Sequence, residues 1–162
     1  MAGHISSNSN IEKSKILALD VATNCGYYSV HESGSWCFIE SKARNDNKQH
    51  KALRDTLIGF ITQYDIKCIV AEDVVVNNHF YDFRRLSEFR GILLEVCDSM
   101  GLPEPEFVNP ITLKKFATGD SRATKLDMIN ACVNRYNYRP RNDDEADAFW
   151  LFRYYCTKYR IF

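Results

Sequence analysis

The 162-residue sequence has no excess of either charge sign: 21 lysines and arginines stand against 21 aspartates and glutamates, for a formal net charge of +0. A globally basic surface is therefore excluded, and a nucleic acid partner would have to be met by a local patch. The six cysteines, Cys25, Cys37, Cys68, Cys97, Cys132 and Cys156, include no C-x-x-C pair, which argues against a zinc ribbon and against a disulfide framework. They read as core or surface thiols of a reducing compartment, the cytoplasm of a bacterium or of a host cell if the protein is virus-encoded. No apolar run approaches the length of a membrane span, and the N-terminus lacks the apolar core of a signal peptide. The expectation is a soluble intracellular protein with no membrane partner. Internal repeats and an interdomain linker are also lacking.

What is present is enough apolar material, 45% hydrophobic and 13% aromatic, for one sizeable core. Residues 1–14 are polar and rich in serine and asparagine, so they are expected to be a disordered head, with 15–162 forming a single domain. Lys15 to Val21, Gly26 to Val30 and Trp36 to Glu40 read as strands, the last two separated by a turn at Ser33-Gly34-Ser35. Ala52 to Tyr64 has helical spacing, and Cys68 to Val76 returns to a β-rich run. A long amphipathic helix is predicted from about Tyr81 to Met100, with Leu86, Phe89, Leu93 and Val96 on its core stripe. A short strand at Glu106 to Val108, a brief helix around Leu113 to Phe116, and helices from about Ala123 to Tyr136 and after Asn142 complete the chain. This is an α/β pattern: three antiparallel strands continued by parallel ones, a mixed five-stranded sheet with helices on both faces.

The chemistry concentrates in carboxylates. Asp144 and Asp147 lie one helical turn apart at the start of an apolar run, so both side chains share a face. An acid at a helix start is ordinarily a cap or a complement to the helix dipole, with Asn142 or Asp143 as N-cap. That account suits Asp143 and Glu145. It suits Asp147 less well, because this residue sits between Ala146 and Ala148 just before Phe149, Trp150 and Leu151, where a carboxylate would be partly buried and would need a partner or a cation. Asp20 ends the apolar strand Ile16-Leu17-Ala18-Leu19, and Glu72 follows Ile69-Val70-Ala71 in the same way. Each alone reads as a turn or strand-face acid. Together, two strand acids and a helix pair form the oxygen set that a hard divalent cation takes.

The segments Ile-Leu-Ala-Leu-Asp20-Val-Ala-Thr-Asn-Cys-Gly26, Val-Ala-Glu72, Arg90-Gly91 and Asp144-Glu-Ala-Asp147-Ala resemble, in order, the motifs of RuvC-type Holliday junction resolvases of the ribonuclease H-like superfamily. The resemblance covers Lys15 to about Phe152 and includes the basic segment from Lys114 through Gly119 to Lys125. It implies a ribonuclease H-like fold. It further implies that Asp20, Glu72, Asp144 and Asp147 hold two Mg²⁺ ions, with Mn²⁺ as the substitute, one readying a water for attack on the scissile phosphate and the other stabilising the departing oxygen. Products would carry 5′-phosphate ends. Lys114 and Lys125 match the family's phosphate-facing lysines, whereas Lys115 has the look of an ordinary solvated lysine. The family spacing favours Asp144 over Asp143 as a ligand.

The family commonly places an aromatic residue shortly after the strand glutamate, to stack on an opened base pair. Here Val75 stands near that place, and Phe80, Tyr81 and Phe83 come later; Phe80 and Tyr81 are candidates for the stacking role, and Phe83 for packing under the long helix. Arg84, Arg85, Arg90, Lys114, Lys115, Arg122 and Lys125 would make a DNA-binding patch if the fold gathers them. Because a four-way junction has two-fold symmetry, the implied enzyme is a homodimer making paired cuts, with Ile92 and Leu94 of the long helix as candidate interface residues. Rival readings are a related nuclease acting on flaps, forks or RNA:DNA hybrids, and a non-catalytic junction-binding protein. Retention of all four acids speaks against the second.

Overall fold

In the computed structural model, which describes residues 11–38, 46–76 and 79–162, ten helices and strands are built around one sheet. In chain order these are β1 (Ile16–Asp20), β2 (Asn24–Tyr28), β3 (Ser33–Cys37), α1 (Asp46–Tyr64), β4 (Cys68–Glu72), α2 (Phe80–Ser99), β5 (Glu106–Val108), α3 (Pro110–Thr118), α4 (Lys125–Tyr136) and α5 (Asp143–Lys158). The strand order is β3-β2-β1-β4-β5, with β1–β2 and β2–β3 antiparallel and β1–β4 and β4–β5 parallel. This is the mixed five-stranded sheet expected from the sequence.

Strand side chains alternate between faces, and that alternation builds two cores. Ile16 and Ala18 of β1, with Cys68 and Val70 of β4, meet the aromatic-rich layer of α3, α4 and α5, where Phe149, Trp150 and Phe152 are fully buried. Leu17, Leu19, Ile69 and Ala71 point the other way, onto Leu53 and Leu57 of α1 and Phe89, Leu93 and Val96 of α2. Because β1 and β4 are covered on both faces, they read as unbroken apolar runs. Their terminal acids fall on the same parity as Ile16, Ala18, Cys68 and Val70. Asp20 and Glu72 are thus directed to the α5 side.

Several expectations are corrected. Ser33, Gly34 and Ser35 are not a turn but part of β3; the turn precedes them, closed by Ser29 Oγ, which accepts from the N–H groups of His31 and Glu32 at 3.1 Å each. The strand expected to run to Glu40 starts at Ser33 and ends at Cys37, while Ile39 and Glu40 lie outside the described residues. The run expected to continue to Val76 ends at Glu72. Helix α1 begins at Asp46, before its apolar spacing becomes visible. Of the expected disordered head, residues 1–10 lie outside the described residues. Residues 11–14 are structured: Ile11 lies against the core and Lys13–Lys15 form a 3₁₀ turn. On α2, Leu86 is only partly buried and Cys97 joins Phe89, Leu93 and Val96 in the core instead.

Candidate active site

Strand β1 ends at Asp20, and β4 ends at Glu72, one step beyond the paired Leu19 and Ala71. Ligands of open α/β sheets gather at such carboxyl ends. Helix α5 brings the third acid. Its N-cap is Asn142, whose side chain accepts from the Glu145 N–H at 2.9 Å, and its first turn carries Asp143, Asp144 and Glu145. On the opposite strand of the hairpin, Gly26 pairs with Asp20. A β-carbon on Gly26 would stand 2.0 Å from the backbone oxygen of Asp144, so only glycine lets α5 approach the sheet here.

The result is a cluster. One carboxylate oxygen from each of Asp20, Glu72 and Asp147 lies within 4.8 Å of the others. All three are partly buried, and each carboxyl is harder to ionise than in water. Burial, then Glu72, Asp147, Asp144 and Asp143, push Asp20 well above the usual carboxylate range. Burial raises Glu72 to about 7 against the pull of Lys114. Burial followed by Glu72, Asp143 and Asp144 raises Asp147 to about 8, again opposed by Lys114. Asp144 is raised by burial and by Asp143, and lowered by Lys125. Such mutual repulsion in an all-oxygen site is what a hard divalent cation relieves, so the residues present fit Mg²⁺ or Mn²⁺. Asp144 lies outside the tight three-acid group but within electrostatic reach of Asp20.

The expected basic residues divide. Lys114, half-buried on α3, faces Glu72 and Asp147 closely enough to ease their ionisation. Lys125, at the start of α4, is exposed and sits 3.3 Å from Asp143, and that hydrogen bond raises its own pKa. Arg85 lines a hollow with Ala22, Thr23, Asp82 and Leu86, next to the one formed by Asp20, Ala22, Glu72, Val75 and Leu86, and its buried Nε has no hydrogen-bond partner among the described residues. Arg84 lies 3.7 Å from Glu88 and 3.9 Å from Asp46. Lys115 and Arg122 are exposed. Arg90 is engaged within the fold: it lies 4.0 Å over the Phe107 ring and donates to Asp73 Oδ1 at 3.2 Å, bracing the residue after Glu72. Val75 lines the same hollow as Asp20 and Glu72, while Val76, Phe80 and Tyr81 are exposed, Val76 84% and Phe80 and Tyr81 65% each.

Sequence reasoning missed Glu145. It is not a solvated complement to the helix dipole but is 3% exposed, accepting hydrogen bonds from Tyr138 Oη at 2.5 Å, Ser33 Oγ at 2.9 Å and the Arg141 N–H at 3.1 Å.

Neither a family model nor a curated protein matches this sequence. Solved structures do. The Thermus thermophilus RuvC in complex with Holliday junction substrate superposes with a TM-score of 0.67 at 13% identity, covering 84% of this chain and 88% of that one. The same organism's RuvC alone gives 0.66 at 12%, covering 88% and 95%. The fold is that of RuvC, an α/β ribonuclease H-like arrangement. The yeast mitochondrial Holliday junction resolvase Ydc2 follows at 0.58 and 11%, covering 92% of this chain and 84% of its own. RuvC and this chain share a fold while differing at most positions.

Proposed function

We propose that this chain is a metal-dependent, structure-selective endodeoxyribonuclease that resolves four-way DNA junctions by paired phosphodiester hydrolysis, leaving 5′-phosphate ends. The convergence of Asp20, Glu72 and Asp147 at the carboxyl ends of β1 and β4, on a RuvC fold, carries the reading. Those three acids would hold a first divalent ion, with Asp144 completing the set for a second. A bound Mg²⁺ or Mn²⁺ supplies Lewis acidity to a phosphodiester held at the acids. Lys114 offsets the negative charge of Glu72 and Asp147 and offers an ammonium to the same phosphate. Lys125, Arg85 and Arg84 meet flanking phosphates, while Phe80 and Tyr81 offer π-faces to bases unpaired at the crossover.

The decisive experiment is a panel of labelled four-way, three-way, flap and RNA:DNA hybrid substrates, each with Mg²⁺ and with EDTA. The expected outcome is symmetric cutting of the four-way junction in Mg²⁺ only. Preferential cutting of flaps or hybrids would redirect the substrate assignment, and no cutting of any substrate in Mg²⁺ or Mn²⁺ would overturn the nuclease reading.

A further inference from the structure

We infer that Glu145 is a positioning residue, which locks the rotation of α5 against the β2–β3 hairpin and so sets where the Asp144 and Asp147 carboxylates stand relative to Asp20 and Glu72. Successive helical residues are about 100° apart, so Glu145 projects roughly 200° away from Asp147 around the helix. One side of α5 presents the cluster acid, and the other grips the fold. A carboxylate on a helix of about 5–6 Å outer radius moves by about 1 Å for a rotation of about 10°. Mg²⁺ demands near-ideal geometry, so a shift of that size matters.

The grip is built from groups distant in sequence. Both Tyr138 and Ser33 donate to Glu145 Oε1, and the Arg141 N–H donates to Oε2 with the Arg141 guanidinium 3.7 Å away. Tyr138 is itself fixed, stacked on Phe149 at 4.5 Å between centroids and set edge-on to Tyr28 at 5.7 Å. Arg141 donates to the Ser33 backbone oxygen at 2.9 Å, and Asn142 Nδ2 to Ser35 Oγ at 2.9 Å. Every donor aimed at Glu145 requires an acceptor, and an amide in its place would turn an NH₂ toward one of them. A buried network of this kind is costly to leave partly satisfied, and that cost specifies a single geometry.

The consequence for cleavage rests on the nuclease reading, so the test reads metal binding as well. Glu145→Gln, Tyr138→Phe and Ser33→Ala would be compared with the parent chain by calorimetric Mn²⁺ titration, thermal melting, and junction cleavage against Mg²⁺ concentration. For Glu145→Gln, Mn²⁺ affinity is expected to fall about 10- to 100-fold, the usual cost of losing a group that orients a metal ligand. The Mg²⁺ requirement for cleavage should rise in step, with much of the rate regained at saturating metal; Tyr138→Phe and Ser33→Ala shift in the same direction by less. A folded Glu145→Gln with unchanged Mn²⁺ affinity overturns the inference, even if its melting temperature drops. Should that variant fail to fold, unchanged affinity in both Tyr138→Phe and Ser33→Ala overturns it equally. A parent that binds Mn²⁺ yet cuts nothing would sink the nuclease reading alone, and a parent that binds no Mn²⁺ would remove the site and this inference with it.

Discussion

Gly26 of β2 and Asp144 of α5 touch through their backbones so closely that a β-carbon on Gly26 would meet the Asp144 carbonyl carbon at 2.3 Å and its oxygen at 2.0 Å. The obstacle is backbone, which cannot swing aside, so Gly26→Ala must push the start of α5 off the sheet. Overpacking of this kind costs about 1–3 kcal/mol. The variant should unfold at lower denaturant and lose Mn²⁺ affinity, because Asp20 pairs with Gly26 while Asp147 travels with α5. Gly59 in α1, whose β-carbon would meet nothing within 4 Å, is the control: Gly59→Ala should stabilise by about 0.5–1 kcal/mol.

The raised carboxyl groups predict how stability varies with pH. Glu72 at about 7 and Asp147 at about 8 titrate above the ordinary carboxylate values of 4.5 and 3.8, so between those limits the folded protein binds more protons than the unfolded chain. The slope of unfolding free energy with pH is then negative. Metal-free protein should therefore be most stable near the ordinary carboxylate range and lose stability as the pH rises through about 8. Mg²⁺ should raise the melting temperature more on the alkaline side of this window than on the acid side. Asp147→Asn should flatten the metal-free decline while abolishing cleavage, as should Asp20→Asn and Glu72→Gln for cleavage. Asp143→Asn should be mild. Melting curves across this pH range, with and without Mg²⁺, provide the check; a metal-free protein that grows more stable toward alkaline pH would mean that the acids do not converge in solution.

Lys114 and Lys125 should differ. Lys114 eases the ionisation of Glu72 and Asp147, whereas Lys125 is 84% exposed and held by Asp143. Lys114→Ala should slow single-turnover cleavage by about 10²-fold, the loss expected when a donor to developing charge is removed, with a smaller effect on junction binding. Lys125→Ala should slow cleavage less, because an exposed ion pair contributes little. Equal losses confined to affinity at both positions would make them phosphate-positioning contacts.

The sheet and its acids were legible because one signal, an unbroken apolar run ended by a lone carboxylate, is local to each of β1 and β4. The start of α1 was not, because its first turn, Asp46-Asn47-Lys48-Gln49, is wholly polar and leaves no apolar stripe to read. Gly34 looked like a turn residue, yet β3 pairs it with Tyr27, whose ring fills the space beside it. Glu145 carried no signal at all: its nearest donors are Tyr138, in the turn before α5, and Ser33, on the far side of the chain. Arg90 shows the complementary limit, since its charge suggested a phosphate while the fold gives it Phe107 and Asp73.

Two-fold symmetric cutting requires two clusters, and the described residues contain one such three-acid group, so the proposed activity requires two copies of the chain. Helix α2 remains the candidate interface, but its two proposed residues are not equivalent. Ile92 packs against the core shared with α1, so a charge there should unfold the protein rather than separate copies. Leu94 instead lines a hollow of about 330 Å³ with Cys97, Asp98, Leu102 and Glu104. The expected outcome for Leu94→Glu is a folded chain that sediments as a monomer where the parent sediments as a dimer, and that leaves single nicks in a cruciform plasmid where the parent linearises it. A parent that stays monomeric both free and on a four-way junction would remove the paired-cut mechanism and favour a nuclease that makes one cut per encounter, on flaps or hybrids.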